Sequence, residues 1–215
     1  MGRVRVIFDR IHRRLFALLS LLPVEQQGKL LRLSFESKHK RPDPWGHAVF
    51  SYETYKYGKT LNCVPVRHYR RIADIGCSEG VFTCRVAGNY RAADVVGLDI
   101  SRRALGRARQ RARQEHLDVT FRACDILNQS FEGKFDLVFC SELLYYLGSY
   151  SRLRLASERI VDLLEPGGLL LLTHPWPESR RLHLPFDTHP GVLRFAEYID
   201  QSTHHPFAVT VYERL

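Results

Sequence analysis

Long apolar runs are missing from this chain. The longest near its start, Leu15–Leu22, has eight residues and includes Ser20, well short of the ~18 needed for a membrane span. It follows Arg10, Arg13 and Arg14 but leads into Pro23-Val24-Glu25-Gln26-Gln27 instead of a small-residue cleavage site, so no secretory signal is expected. Cysteine is sparse. Cys63, Cys77, Cys84, Cys124 and Cys140 form no CxxC pair, which argues against a disulfide scaffold and a structural zinc site and for a reducing cytoplasm. His204-His205 lacks acidic or Cys neighbours, so no metal centre is expected. Repeats and low-complexity tracts are absent as well.

Acidic residues are scarce only at the start. Residues 1–41 hold 10 basic and 3 acidic residues, so they carry +7 of the +9 on the 215-residue chain; residues 42–215 hold 22 basic and 20 acidic. A second basic run, Arg102, Arg103, Arg107, Arg109, Arg111 and Arg113, is spread around one helix without interleaved aromatics. That pattern reads as a solvated helix face and not as a nucleic-acid surface. An apolar fraction of 45% is that of a globular protein.

Within residues 4–22, Ile7, Ile11, Leu15, Leu18 and Leu22 recur at spacings of three and four, an amphipathic helix with Arg10, Arg13 and Arg14 off the stripe. It reads as an arm packed on the main domain or on a second subunit; contact of residues 1–22 with an anionic membrane surface is the alternative. Glu25–Phe35 reads as a second short helix. Arg41-Pro42-Asp43-Pro44 then cannot continue a helix, which divides the chain into a basic helical extension (1–41) and a main domain (42–215).

From Arg71 onward, strands and helices alternate. Arg71–Ile75, Asp94–Ile100, Val119–Ala123, Phe135–Cys140 and Gly168–Thr173 read as strands, and Thr83–Ala87, Ser101–His116 (capped by Ser101) and Ser151–Leu164 as helices. Pro190–Ile199 is expected as a further helix, Ala208–Tyr212 as a last strand, and Thr173–Pro190 as a long irregular loop. Runs apolar on both faces and separated by helices imply a doubly wound, mostly parallel α/β sheet of Rossmann-like type.

In such a sheet, ligands bind beyond the C-terminal strand ends. The first strand leads into Asp74-Ile75-Gly76-Cys77-Ser78-Glu79-Gly80, whose glycines are four apart and which carries two acids. A GxGxxG pyrophosphate loop differs on both counts. Carboxylates would repel a pyrophosphate and attract a cation, so the loop suits S-adenosylmethionine, which has a sulfonium and an α-ammonium, better than NAD. Asp99, 19 residues after Gly80, can accept both ribose hydroxyls. Asp125 can accept the adenine amino hydrogens and the Ile126 backbone can serve the ring nitrogen. Ser141-Glu142 follows the fourth strand, and Glu165-Pro166-Gly167-Gly168 precedes the fifth.

In this order and at these spacings, the features resemble the class I S-adenosylmethionine-dependent methyltransferases over about residues 68–173. Asp43-Pro44-Trp45, Tyr52-Glu53-x-Tyr55-Lys56, Ile75-Gly76-Cys77, Phe82-Thr83 and Ser141-Glu142-Leu143-Leu144-Tyr145-Tyr146-Leu147 further resemble the NodS-type nodulation N-methyltransferases, from about Asp43 to Gly168. That family methylates the free amine of a deacetylated glucosamine in a lipo-chitooligosaccharide. The resemblance implies that Asp74, Gly76 and Gly80 line the methionine and ribose, Asp99 the ribose, and Asp125 with Ile126 the adenine. Cys77, Ile100 and Ser141, in the same loops, complete the cofactor set. Leu143 and Leu144 would wall the pocket.

Methyl transfer is an in-line displacement that needs no metal, and an amine acceptor must present its lone pair. Glu142, Tyr145 and His174, at the fourth and fifth strand ends, are the expected catalytic groups. Tyr52, Lys56, Tyr146 and Trp176 are expected to bind a small, saccharide-like acceptor. O-methylation of a sugar or natural product, RNA or protein methylation, and non-catalytic cofactor binding at a membrane are the alternatives.

Overall fold

The computed structural model describes residues 14–129, 131 and 133–215. Ile7 and Ile11 of the amphipathic stripe lie outside them. Residues 14–19 are helical, but Leu15 and Leu18 face solvent, with 51% and 64% of their surface exposed. Phe16 and Ser20 turn inward instead, where Phe16 meets the ring of Tyr146 edge-on. The helix therefore docks through a different face from the one its leucine spacing implies.

Helix α1 spans Val24–Lys38 and α2 spans Ser51–Asn62. Strand β1 (Arg71–Ile75) opens the alternating part. It is followed by α3 (Val81–Asn89), β2 (Asp94–Asp99), α4 (Arg102–Gln114), β3 (Val119–Ala123), β4 (Phe135–Ser141), a 3-10 turn (Leu144–Leu147), α5 (Tyr150–Asp162) and β5 (Leu164–Pro175). The chain ends with α6 (Ser179–Asp187), β6 (Val192–Asp200) and β7 (Phe207–Arg214). Ser101 caps α4 as expected, its Oγ accepting from the Ala104 N–H at 3.2 Å.

The strands form one sheet in the order β3-β2-β1-β4-β5-β7-β6. Strands β1 to β5 are parallel, and β7 is antiparallel to both of its neighbours. Alternate residues feed opposite faces. Ile72, Val95, Leu137 and Phe139 pack with Tyr57 and Phe82 from α2 and α3, while Ala73, Val96, Val138 and Cys140 pack with Leu153, Ile160 and Phe186 from α5 and α6. Strand order reverses between β1 and β4, so a crevice opens beyond their C-terminal ends.

Two expectations fail after β5. Pro190–Ile199 is not a helix: Val192–Asp200 is an edge strand paired with β7. An edge strand with most side chains exposed lacks the burial alternation that would mark it, and the backbone pairing to β7 decides its form. Thr173–Pro190 is not an irregular loop either, because β5 continues to Pro175 and α6 follows. Pro185 inside α6 costs about 3 kcal/mol, and full burial of Leu182 and Phe186, worth about 1.5–3 kcal/mol each, offsets it.

Candidate functional site

A cavity of about 900 Å³, open mouth included, lies at the reversal point, within the range of small-molecule sites. Its floor is made by strand ends and their loops: Gly76 and Ser78 after β1, Asp99 and Ile100 after β2, Asp125 and Ile126 after β3, Ser141 and Glu142 after β4. A smaller hollow adjoins it, lined by Asp74, Cys77, Glu53 and Tyr57. His47, Gly76, Ser78, Ser141 and Glu142 border both spaces.

Backbone strain is gathered here. Of the four described non-glycine residues with positive φ, Ser78 (50°) and Glu142 (53°) line the cavity and Asp43 (45°) stands beside it. Such conformations cost about 1–3 kcal/mol and cluster at functional sites. Gly76 turns at φ 79°, and a Cβ there would stand 2.7 Å from Leu143 Cδ1. The loop therefore comes close to the far wall only because position 76 lacks a side chain. Asp99 braces the same loop, accepting from Ser78 N–H (2.9 Å) and Ser101 N–H (2.8 Å). Burial raises its pKa. The Ser78 Oγ is buried without a hydrogen-bond partner among the described residues, a polar atom that a bound ligand can satisfy.

Asp74 is buried, accepts from Thr83 Oγ1 at 2.6 Å, and has its pKa pushed up to about 7 by desolvation. Asp125 accepts from Leu127 N–H (3.0 Å) and Asn128 Nδ2 (2.7 Å). Helix α1 covers it at Gly28, where a Cβ would stand 2.0 Å from Asp125 Oδ2. The segment before residue 42 is thus part of the cavity wall. Leu31 and Phe35 of α1 and His39 line the cavity, so a boundary at residue 41 runs through it.

Several site expectations do not survive. Glu79 does not attract a ligand cation: its carboxylate accepts from His39 Nδ1 (3.1 Å), Arg107 (2.7 Å) and the Asp43 N–H (3.1 Å) and lies outside the cavity lining. Burial alone would raise its pKa, but these donors hold it below the ordinary value. Glu79 staples the N-terminal segment to the glycine loop. The arginines of α4 are correspondingly less free than a solvated face implies, since Arg107 and Arg111 bind Glu79, Arg109 binds Phe121 O and Arg103 pairs with Glu36. Gly80 does not reach the cavity; it opens α3 against Ala108 of α4. Cys77 packs with Cys84, Leu105 and Phe121, touching only the smaller hollow.

His174 is no base in the cleft. It is fully buried, and its Nε2 accepts the Leu144 N–H at 3.2 Å. Its Nδ1 therefore donates to His183 Nε2 (3.0 Å), and His183 Nδ1 donates to Thr210 Oγ1 (2.9 Å). Burial lowers the pKa of both rings, His183 to about 3. The chain holds the 3-10 turn that carries Tyr145 and Tyr146. Trp176 also misses the cavity: β5 carries it past the strand ends, its N–H bonds Pro206 O at 2.9 Å and Arg180 stacks on its ring at 4.7 Å. Tyr52 donates to His205 O at 2.8 Å, away from the lining.

Lys56 is a buried counter-ion. Its Nζ lies 2.9 Å from Glu142 Oε1 and 3.2 Å from Glu53, with only 2% of the residue exposed. Burial opposes its charge, but the two carboxylates outweigh it and raise the pKa. One cation between two anions leaves the cluster at −1. Beside it, Tyr145 and Tyr146 pack at 4.4 Å between ring centroids, and Trp45, stacked on His47 at 5.8 Å, joins the wall. His47 is half-buried, and burial lowers its pKa despite the neighbouring acids. Sequence reasoning missed His47, Phe35, His39 and the role of Ser78. Trp45 stood in a recognised motif but was given no role.

A sequence model of a methyltransferase domain matches residues 72–168. Nodulation protein S of Azorhizobium caulinodans is 28% identical over 147 residues, covering 68% of this chain and 67% of that protein. Trans-aconitate 2-methyltransferase of Deinococcus radiodurans is 35% identical over 120 residues, 56% of this chain and 43% of that protein. Among solved structures, the N-methyltransferase NodS from Bradyrhizobium japonicum WM9 with S-adenosyl-L-homocysteine superposes with a TM-score of 0.73 at 24% identity. That match covers 85% of this chain and 97% of that one.

Proposed function

Because the chain is a class I S-adenosylmethionine-dependent methyltransferase that resembles the NodS type, we propose that it methylates the amine of an amino-sugar or related saccharide. The observation that carries this reading is the border between the cavity and the smaller hollow, where Glu142 faces both spaces, Glu53 faces the hollow, and the two carboxylates with buried Lys56 sum to −1 beside the aromatic wall. A negative cluster favours a group that arrives as an ammonium and leaves as one, and aromatic rings suit a sugar face.

Bound S-adenosylmethionine supplies a methyl carbon already activated by its sulfonium. The residues present fit it. Asp99 and Ser78 would hold the ribose, Ile100, Asp125 and Ile126 the adenine, and Asp74 the ammonium at the methionine end, with Gly76 and Ser141 leaving room between. Glu142, fixed by Lys56 and by its N–H to Thr173 O at 2.9 Å, orients the acceptor nitrogen. Tyr145, whose hydroxyl lies beside that carboxylate, shares the task. His47 accepts the proton, because its lowered pKa leaves the imidazole neutral and it stands where the two spaces meet.

His47 also favours a second reading, O-methylation, since a neutral imidazole can deprotonate a hydroxyl. Methyl transfer to matched amine and N-acetyl saccharides separates the two: activity on the amine alone is expected, and equal activity on both refutes the amine reading. The five free thiols support the cytoplasm as the place of work. Exposed Leu15, Leu18 and Leu21 near Arg14 support a peripheral membrane contact through residues 1–22, which flotation with anionic liposomes tests. No helix among the described residues is long and apolar enough to cross a membrane.

A further inference from the structure

The cations described around the cavity are each paired with a carboxylate, with one exception. Lys56 has two carboxylates, and Arg107 has Glu79. Lys38 has none among the described residues. Its Nζ instead stands over three aromatic rings, 5.1 Å from the centroid of Phe35, 5.6 Å from Trp45 and 5.5 Å from Tyr146. All three rings line the cavity.

The placement follows from the helix. Leu31, Phe35 and Lys38 stand at i, i+4 and i+7 on α1, hence on one face. Leu31 and Phe35 line the cavity, and Lys38, one turn further on and outside the lining itself, places its Nζ over rings that form it. Ring faces attract an ammonium and hold it in place, but they do not neutralise it. Burial is also the sole cause that lowers its pKa, with no acid acting against it. The result is a positioned, partly dewatered cation with no carboxylate partner among the described residues, over the rings against which an acceptor would lie.

We propose that Lys38 anchors an oxyanion, a phosphate monoester or a carboxylate, carried by the acceptor. The inference rests on the amine reading for the other end of that acceptor. The Glu53–Lys56–Glu142 cluster and the Lys38 ammonium have opposite net sign, and the adjacent rings of Tyr145 and Tyr146 run between them. Tyr145 lies by Glu142, and Tyr146 lies under Lys38. A dipolar acceptor fits that arrangement: amine toward Glu142, sugar ring on the aromatic wall, anion on Lys38. An acceptor of this kind comes from a reaction that phosphorylates an amino-sugar or oxidises it to the uronate.

The test compares steady-state methylation of glucosamine, glucosamine 6-phosphate and 2-amino-2-deoxyglucuronate by the full chain and by K38M and K38R. Lys38→Met keeps the stem on the rings and removes the charge. In the natural protein, an anionic sugar is expected to show a KM at least tenfold below that of glucosamine. The ratio should collapse toward one in K38M, persist in K38R, and leave the ratio of kcat values unmoved; whichever anion shows the gain identifies the source. No preference in the natural protein, or the same preference in K38M, overturns the proposal. If none of the three amines is methylated, the amine reading fails on its own. Calorimetry of the S-adenosylhomocysteine-loaded protein with N-acetylglucosamine 6-phosphate and with glucuronate then decides on Lys38. Binding of either that is lost in K38M upholds the anchor; no binding, or binding unchanged in K38M, refutes it.

Discussion

The two halves of the cavity are built in different ways. The half proposed for the cofactor takes its residues in chain order from successive strand ends: Gly76, Asp99, Asp125. The acceptor half joins residues far apart in the chain, such as Lys56 with Glu142 and Phe35 with Tyr146. Its central charges, Lys56 with Glu53 and Glu142, pair across the chain, whereas Asp74, Asp99 and Asp125 bond to groups at most 21 residues away. One half is a list of loops on a sheet; the other exists only once the N-terminal helices have closed over the strand ends.

That contrast can be broken by substitution, and the largest effect is expected at Lys56. Lys56→Met leaves Glu53 and Glu142 facing each other without their cation. Breaking a buried pair costs about 3–5 kcal/mol, and the partial exposure of Glu142 places the loss near ~3. Urea unfolding should show it, with methylation abolished and affinity for S-adenosylhomocysteine retained. Equal loss of both would erase the distinction between the halves.

In the cofactor half, Gly76→Ala should weaken S-adenosylhomocysteine binding by about a hundredfold, from ~1–3 kcal/mol of positive-φ strain added to the contact with Leu143. Calorimetry measures it, and unchanged affinity would show that the loop does not touch the cofactor. Removing the proposed base by His47→Gln should lower kcat by about a hundredfold with cofactor affinity unchanged. In the natural protein, activity should fall on the acid side only below the ordinary histidine range, because burial lowers this pKa. His47→Gln should abolish that acid limb.

The smallest effect is a proton. Burial pushes the pKa of Asp74 up to about 7. A cation bound beside it favours the ionised form, so binding releases up to about half a proton near pH 7. Affinity for S-adenosylmethionine should therefore rise as pH increases through about 7, with a binding enthalpy that depends on the buffer. Asp74→Asn should remove both; a pH-independent affinity in the natural protein would separate Asp74 from the ammonium.

Legibility followed the same division. Asp99, Asp125, Ile126 and Glu142 could be placed from the sequence because each lies at the end of an apolar strand, and a parallel sheet brings such ends together. His174 shows the limit. It too lies at a strand end, but its side chain points into the core, where Leu144 and His183 take both nitrogens. Trp176, expected to bind the acceptor because it follows the fifth strand, lies outside the cavity lining, and the tryptophan that lines the cavity is Trp45, from before β1. Glu79 reads as a cofactor acid until Arg107 and His39 are seen to occupy it.

The sequence by itself determined the α/β alternation, the strand-end loops that line the cavity and the class of chemistry, since local hydrophobic period and motif spacing carry that information along the chain. Tertiary structure alone decided that a basic N-terminal segment walls the cavity, that Lys56 is a buried counter-ion, and that Lys38 stands over three rings with no carboxylate partner among the described residues. The physical reason is that charge pairing and burial depend on distances between residues remote in sequence, and no local pattern encodes which cation finds its anion.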